Sequence, residues 1–255
     1  MDKDLIRERF TRAIPTYEQQ ATVQRQIAQH MVDLLTVHLP ASTHSRVWEV
    51  GCGTGFFSRS YLSQHTPKEC WLNDLCPEME KALADVLDER THFIAGDAEH
   101  TTPQGRFSLI VSCSSLQWLE QPFSFLKRCR DYLDTDGYLA FSLFGEENFR
   151  EVKSLVEASL PYYSSAHWQK AANERGFQPI YTEEGLITLK FKSPSEVLRH
   201  LQQTGVTGIR REKWTKGKLL DFATNYQHRF STPEGQVTLT YHPIYIILKN
   251  NNHEQ

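Results

Sequence analysis

The run Glu49-Val50-Gly51-Cys52-Gly53-Thr54-Gly55 sets three glycines at alternate positions, directly after the short apolar segment 47–50. Glycine reaches left-handed backbone conformations and lets the main chain approach a ligand closely. The spacing is G-x-G-x-G. It is neither the G-x-G-x-x-G of dinucleotide folds nor a phosphate loop, which needs Gly-Lys-Ser/Thr. The expected ligand is therefore not a pyrophosphate; a tight strand-to-helix turn is the alternative. Asp74 stands 23 residues after Gly51. A carboxylate there can accept both hydroxyl protons of a ribose diol, or it can cap a helix beginning at Pro77. Asp97, in Gly96-Asp97-Ala98, can accept a proton from an adenine amino group, or it is a turn aspartate. Ser112-Cys113-Ser114-Ser115-Leu116-Gln117-Trp118 sets small polar residues beside an aromatic, a composition suited to a pocket floor.

These four signals need elements that bring them to one place. Apolar segments at 47–50, 70–73, 91–94, 107–111 and 137–144 read as strands. Helical patterns at 77–87 and 122–133 lie between them. That alternation predicts a parallel sheet with helices on both faces, and ligands bind at the carboxyl ends of such strands. Before it, Gln24, Ile27, Ala28, Met31, Leu34, Leu35 and His38 recur at helical spacing, while residues 1–20 are polar. After it, 146–175 reads as helical but interrupted at Pro161, 185–192 as a strand, and 195–203 and 216–230 as helices. The segment 237–248 reads as one long strand, with Pro243 marking a bulge or an edge. Residues 250–255 are expected to be disordered.

The 255 residues carry 28 Lys and Arg against 31 Asp and Glu, a net charge of −3. That balance argues against a nucleic-acid binder, which needs a basic field. Apolar residues at 39% suffice for a core, and no apolar run is long enough to span a membrane. The charged start Met1-Asp2-Lys3-Asp4 leads into no apolar stretch, so no signal peptide is expected. Five cysteines without a C-x-x-C pair suit a reducing cytoplasm better than a disulfide framework. The histidines show no ligand spacing, so no metal is expected.

Taken together, Glu-x-Gly-x-Gly-x-Gly, the acid after the second strand and Gly-Asp-Ala resemble the class I methyltransferases that use S-adenosylmethionine. The resemblance covers about residues 45–145. It implies an α/β Rossmann-like fold, with a seven-stranded, mostly parallel sheet, its last strand antiparallel, and a helical lid. It places Gly51, Gly53 and Gly55 against the methionine part of the cofactor. Asp74 and Leu75 would lie at its ribose, and Asp97 and Ala98 near its adenine. Ser114, Tyr17 and Gln24 complete the implied set, and Glu49 would orient the turn rather than touch substrate.

Both ends of the chain narrow the resemblance. Phe10-x-Arg12-Ala13-x-x-Thr16-Tyr17-x-x-x-Ala21-x-x-Gln24, Leu116-Gln117-Trp118-Leu119, the run from Ser193 to Val206, and Leu239-Thr240-Tyr241-His242-Pro243-Ile244-Tyr245 are similar to the malonyl-acyl carrier protein O-methyltransferases of biotin synthesis. That likeness implies residues 1–40 as a lid segment and helix. Residues 41–255 would form the methyltransferase domain, with helical insertions at about 146–175 and 194–230. The implied reaction methylates the free carboxylate of a malonyl thioester held on acyl carrier protein. The acceptor set would be Tyr17, Gln117, Trp118, Arg199 and Arg210. A carboxylate is ionised at neutral pH, so no general base is required. Residues 199–218 hold Arg199, Arg210, Arg211, Lys213, Lys216 and Lys218 against Glu212 alone. This run reads as a landing surface for an acidic carrier protein or as an ordinary solvated face. Competing readings are a carboxyl methyltransferase of a free small acid such as trans-aconitate, and a non-catalytic cofactor-binding partner protein.

Overall fold

The computed structural model describes residues 2–156, 160–206 and 214–251. The N-terminal residues form α1 (Lys3–Gln20), where a polar segment was expected. Asp2 caps it by accepting from Leu5 N, and Pro15 is accommodated within it. The helical signal is a narrow one: Ile6, Phe10, Ile14 and Tyr17 recur at spacings of four, four and three, one stripe of a helix. The helix α2 (Thr22–His38) follows at once, with Ile27, Met31 and Leu35 fully buried.

Alternation then proceeds as read: β1 (Arg46–Val50), α3 (Phe56–Gln64), β2 (Glu69–Asp74), α4 (Met79–Ala82), β3 (Thr91–Ala95), β4 (Phe107–Cys113), α5 (Pro122–Tyr132) and β5 (Leu133–Phe144). The helix expected over 77–87 is a single turn. Arg59 donates to Ala82 O at 2.6 Å, so that carbonyl is satisfied from α3 instead of by the next helical turn. The later elements are α6 (Arg150–Lys153), α7 (Ser165–Asn173), β6 (Phe177–Glu184), β7 (Ile187–Phe191), α8 (Pro194–Gln203), α9 (Lys216–Phe230), β8 (Val237–Tyr241) and β9 (Pro243–Asn250).

Seven strands pair in the order β3-β2-β1-β4-β5-β9-β6. β1 to β5 are parallel, and β9 runs antiparallel between β5 and β6. One face is covered by α2, α3, α8 and α9 through Met31, Phe57, Val197 and Tyr226. The other is covered by α5 and α7 through Leu126, Cys129 and Trp168. The expected long strand at 237–248 is two strands. β8 pairs with β7 in a separate two-stranded sheet, and the chain passes into the main sheet at His242-Pro243. Proline has no N–H for a ladder, and His242 O instead accepts from Gly145 N at 2.8 Å. β6 was not anticipated. It is an edge strand whose register shifts between Pro179 and Tyr181, and that proline obscures its alternation. Among the described residues no helix is long and apolar enough to cross a membrane.

Candidate functional site

The parallel strands β1 to β4 end on one side of the sheet, where they form the floor of a cavity roofed by α1. Its empty volume, counted out to open solvent, is about 1070 Å3. Gly51, Gly53 and Gly55 have φ of +71°, +52° and +88°, all left-handed. Their surroundings differ. A Cβ on Gly51 would run into Ser115, and one on Gly55 into Leu83 and Arg59; one on Gly53 would meet nothing within 4 Å. Gly51 is therefore demanded by packing, whereas the open side of Gly53 is the cradle a ligand can fill. Gly55 caps α3 from behind the turn and does not line the cavity.

The turn is held from three strands. Gly51 N and Cys52 N both donate to Asn73 O, at 2.8 and 2.9 Å. Asn73 Nδ2 donates to the carbonyls of Ile94 and Gly96, both at 2.9 Å, joining the ends of β2 and β3. Ser112 and Ser115 donate to Val50 O, at 2.9 and 3.0 Å, tying the exit of β4 to the last carbonyl of β1. Asn73 carries no motif, and Ser115 stands in the run read as a pocket floor; the bracing role of each is invisible in sequence because their partners lie in other strands.

Asp74 does not cap a helix at Pro77, since α4 begins at Met79; its carboxylate instead braces the turns after β1 and β2. One carboxylate oxygen accepts from Gly53 N and the other from Cys76 N, each at 2.8 Å. Each oxygen keeps a further lone pair, and the side chain borders the cavity. Burial lifts its pKa, opposed by the amides of Cys76 and Gly53. Glu49 is 2% exposed and accepts from Ser58 Oγ at 2.6 Å. Burial pushes its pKa up to about 8, against the Ser58 hydrogen bond and with help from Asp74. Asp97 Oδ1 accepts from Glu99 N at 3.0 Å, as a turn aspartate does, while the residue also faces the cavity. Leu75 and Ala98 complete this wall.

The roof comes from α1 and the short 3-10 turn Leu116–Trp118. Tyr17 stacks on Phe56 with ring centroids 5.6 Å apart, and burial followed by the Asp74 charge raises its phenol pKa. Phe10 meets Trp118 edge-on at 5.3 Å. Lys3, another residue the sequence reading did not single out, reaches Asp97 and Glu99 from α1. Gln24 and Ser114 also line the cavity, and Gln24 Oε1 and Ser114 Oγ are buried without a hydrogen-bond partner. Ser114 adopts φ +55°, a conformation rarely held by a non-glycine residue.

Of the expected acceptor residues, Tyr17 and Trp118 border this cavity. Gln117 does not; it turns away and lines an adjoining cleft. Arg199 is exposed on α8 and away from the cavity. Arg210 lies outside the described residues, as do Arg211 and Lys213.

Three acidic side chains, Glu49 among them and largely protonated at neutral pH, and one ammonium line the cavity. Such a lining suits a ligand with positive charge, a diol and an amino-bearing ring. S-adenosylmethionine has a sulfonium, an ammonium, a ribose and an adenine. The open cradle at Gly53 and the unpartnered oxygens of Gln24 and Ser114 leave room and hydrogen-bonding capacity for it.

An open sheet of this order, with a glycine turn after β1 and acids after β2 and β3, defines a class I methyltransferase, and S-adenosylmethionine is its methyl donor. Residues 48–141 match the methyltransferase domain family. The YcgJ protein of Bacillus subtilis superposes with a TM-score of 0.63, at 16% identity over 88% of this chain and 99% of that one. The N-methyltransferase NodS of Bradyrhizobium japonicum, in complex with S-adenosyl-L-homocysteine, superposes with a TM-score of 0.52, at 14% identity over 87% and 86%.

Two relatives refine the class. A malonyl-[acyl-carrier protein] O-methyltransferase of Bacteroides thetaiotaomicron is 45% identical over 98% of both chains. One of Bacteroides fragilis is 47% identical over 97% of this chain, which spans half of that relative's length. The chain belongs to the malonyl-[acyl-carrier protein] O-methyltransferase family.

Proposed function

We propose that this protein methylates the free carboxylate of a malonyl thioester carried on acyl carrier protein, at the entry to biotin synthesis. The observation that carries the reading is the acidic, roofed cavity at the ends of β1 to β4, in a chain 45% identical to such an enzyme over nearly its full length. When bound, S-adenosylmethionine supplies a methyl group on a sulfonium. The acceptor oxygen forms the new O–CH3 bond as the S–CH3 bond breaks, leaving a neutral ester and a neutral thioether.

The protein's own work is placement. Asp74 holds the ribose with the lone pairs left by Gly53 N and Cys76 N. Asp97 and Ala98 take the adenine side. Gly51 and Gly53 lie along the methionine portion, with Gly55 shaping the turn behind them. Gln24 and Ser114 offer oxygens to the ammonium side. Tyr17 and Trp118 close the roof and keep water from the reacting carboxylate. In-line alignment with water excluded accounts for the catalysis, since a carboxylate nucleophile has no proton to lose at neutral pH. Residues 1–20 act as the lid, and residues 41–255 form the domain it covers.

The basic run from Arg199 to Lys218 supports docking of an acidic carrier protein by charge complementarity. Arg199, exposed on the outer face of α8, fits that surface better than a carboxylate clamp; Arg210 is retained as the clamp. Five free cysteines support a reducing, cytoplasmic setting.

The test is incubation with methyl-labelled S-adenosylmethionine and either malonyl-carrier protein, malonyl-CoA or free dicarboxylic acids. Label in a base-labile ester on malonyl-carrier protein is expected. Label only in a free dicarboxylate assigns the enzyme to small acids instead, and label in none of them rejects the reading.

A further inference from the structure

A second cleft adjoins the cofactor cavity, and Leu119 belongs to the walls of both. It opens between the carboxyl ends of β4, which also borders the cavity floor, and β5. Its lining is mixed: Leu119, Phe144, Tyr163 and Trp168 supply apolar walls, and Gln117 and Glu120 polar ones. Two buried polar atoms among its lining residues have no hydrogen-bond partner. One is the donor Trp168 Nε1–H, on a side chain 2% exposed; the other is the acceptor Gln117 Oε1. The Gln117 amide cannot simply turn over to relieve this, because its Nε2 donates to Ser114 O at 2.7 Å. Trp168 is clamped by Phe123 and Phe141, with ring centroids 4.9 and 5.4 Å away.

Buried polar groups left unpaired are costly, so this pair marks a place where a ligand's polar atoms belong. One donor and one acceptor match the C=O and N–H of a secondary amide. The pair matches a carboxylate poorly: Trp168 could donate to it, but Gln117 Oε1 would face it oxygen to oxygen, and Glu120 also lines the cleft. We infer that this cleft receives the amide-bearing arm next to the acceptor thioester, with Trp168 donating to its carbonyl and Gln117 accepting from its N–H. The inference rests on the malonyl-thioester reading above. The carboxylate end of the acceptor then passes Leu119 into the cofactor cavity, and the arm runs out over β5. Gln117 and Trp168 are thereby specificity residues for the arm and not for the methyl donor.

The experiment compares kcat/KM for malonyl-pantetheine with that for a malonyl thioester of a plain alkyl thiol of similar length. The wild-type enzyme should prefer the amide substrate by roughly two- to tenfold for each hydrogen bond made. Gln117→Met and Trp168→Phe should each bring that ratio toward unity, while Kd for S-adenosylhomocysteine, measured calorimetrically, stays as in the wild type. Gln117→Met stands alone as the test if Trp168→Phe does not fold. A wild-type ratio near one, or variants that keep the ratio, overturns the inference while leaving the proposed reaction standing. Failure of the wild type to methylate either thioester or malonyl-carrier protein overturns both.

Discussion

Lys3 and Asp97 are 94 residues apart in the chain, yet the Lys3 ammonium lies 3.4 Å from both carboxylate oxygens of Asp97 and 2.8 Å from Glu99. Glu99 also accepts from Glu120 N and Gln121 N, at 2.8 and 2.7 Å. Burial works to raise the Glu99 pKa, but Lys3 and those two amides outweigh it and hold the carboxyl below its usual range. The first turn of the roof helix is thus fastened to the loop after β3 and, through it, to the loop after β4.

Lys3→Met should loosen this fastening. Partly exposed ion pairs contribute roughly 0.2–1 kcal/mol, so the melting temperature should hardly move. Amide exchange in α1 should quicken severalfold, and S-adenosylhomocysteine should dissociate faster. Unchanged exchange would mean that Ile6, Phe10 and Ile14 hold the roof unaided.

Asp74→Ala should lower affinity for S-adenosylhomocysteine by about ten- to a hundredfold, given roughly 1.5–3 kcal/mol for hydrogen bonds to a charged group. Titration calorimetry reads this directly. The variant also leaves Gly53 N and Cys76 N without their acceptor, so a modest loss of stability should accompany the lost affinity. Wild-type affinity in the folded variant would remove Asp74 from the site.

Gly51→Ala and Gly53→Ala should fail differently. Both force alanine to positive φ, costing about 1–2 kcal/mol. Gly51→Ala also drives a methyl into Ser115, and its chief effect should be on melting temperature. The methyl of Gly53→Ala projects into open cradle, so its chief effect should be on cofactor affinity. Similar profiles for the two variants would contradict this division.

Glu49, with its pKa near 8 against an ordinary 4.5, makes two pH effects. Between those values the folded chain holds a proton that the unfolded chain has lost. The contribution to stability is therefore present below pH 4.5 and falls as pH rises toward 8. A cationic cofactor favours the ionised carboxylate, so binding releases the proton, and affinity should rise with pH up to about 8. Glu49→Gln should flatten both trends, as followed by thermal unfolding and by calorimetry between pH 5.5 and 9.

Reversing Arg211 and Lys213 to Glu should raise KM for malonyl-carrier protein several-fold and leave malonyl-CoA turnover nearly unchanged. If the basic run steers the carrier protein, its effect falls on association and is screened beyond about 8 Å at physiological salt. Added salt should therefore weaken the wild-type carrier reaction more than that of the variant. Equal losses on both substrates would move these residues inward.

Short-range pattern was enough to locate β1 to β5, the glycine turn and the acids after β2 and β3, because burial in a parallel sheet and left-handed turns both dictate residue type locally. The terminal motifs likewise carried the family from the chain alone. What the tertiary structure decided depends on partners far away in sequence. Residues 1–20 read as polar because only a narrow stripe of α1 is apolar, and it becomes a roof only when the strand ends lie beneath it. The last strand divides at His242-Pro243 because its two halves pair in different sheets, with β7 and with β5, and Pro243 has no N–H for a ladder. Asn73 shows no motif and Ser115 stands in one that gives no hint of its partner; their bracing roles exist only once the ends of β1, β2, β3 and β4 are side by side. Arg199 and Gln117 sit in suggestive motifs, but helix phase sends one to solvent and the turn at Leu116–Trp118 aims the other into the neighbouring cleft. Sequence periodicity sets which face of an element is apolar, whereas only the packed sheet sets what each polar side chain meets.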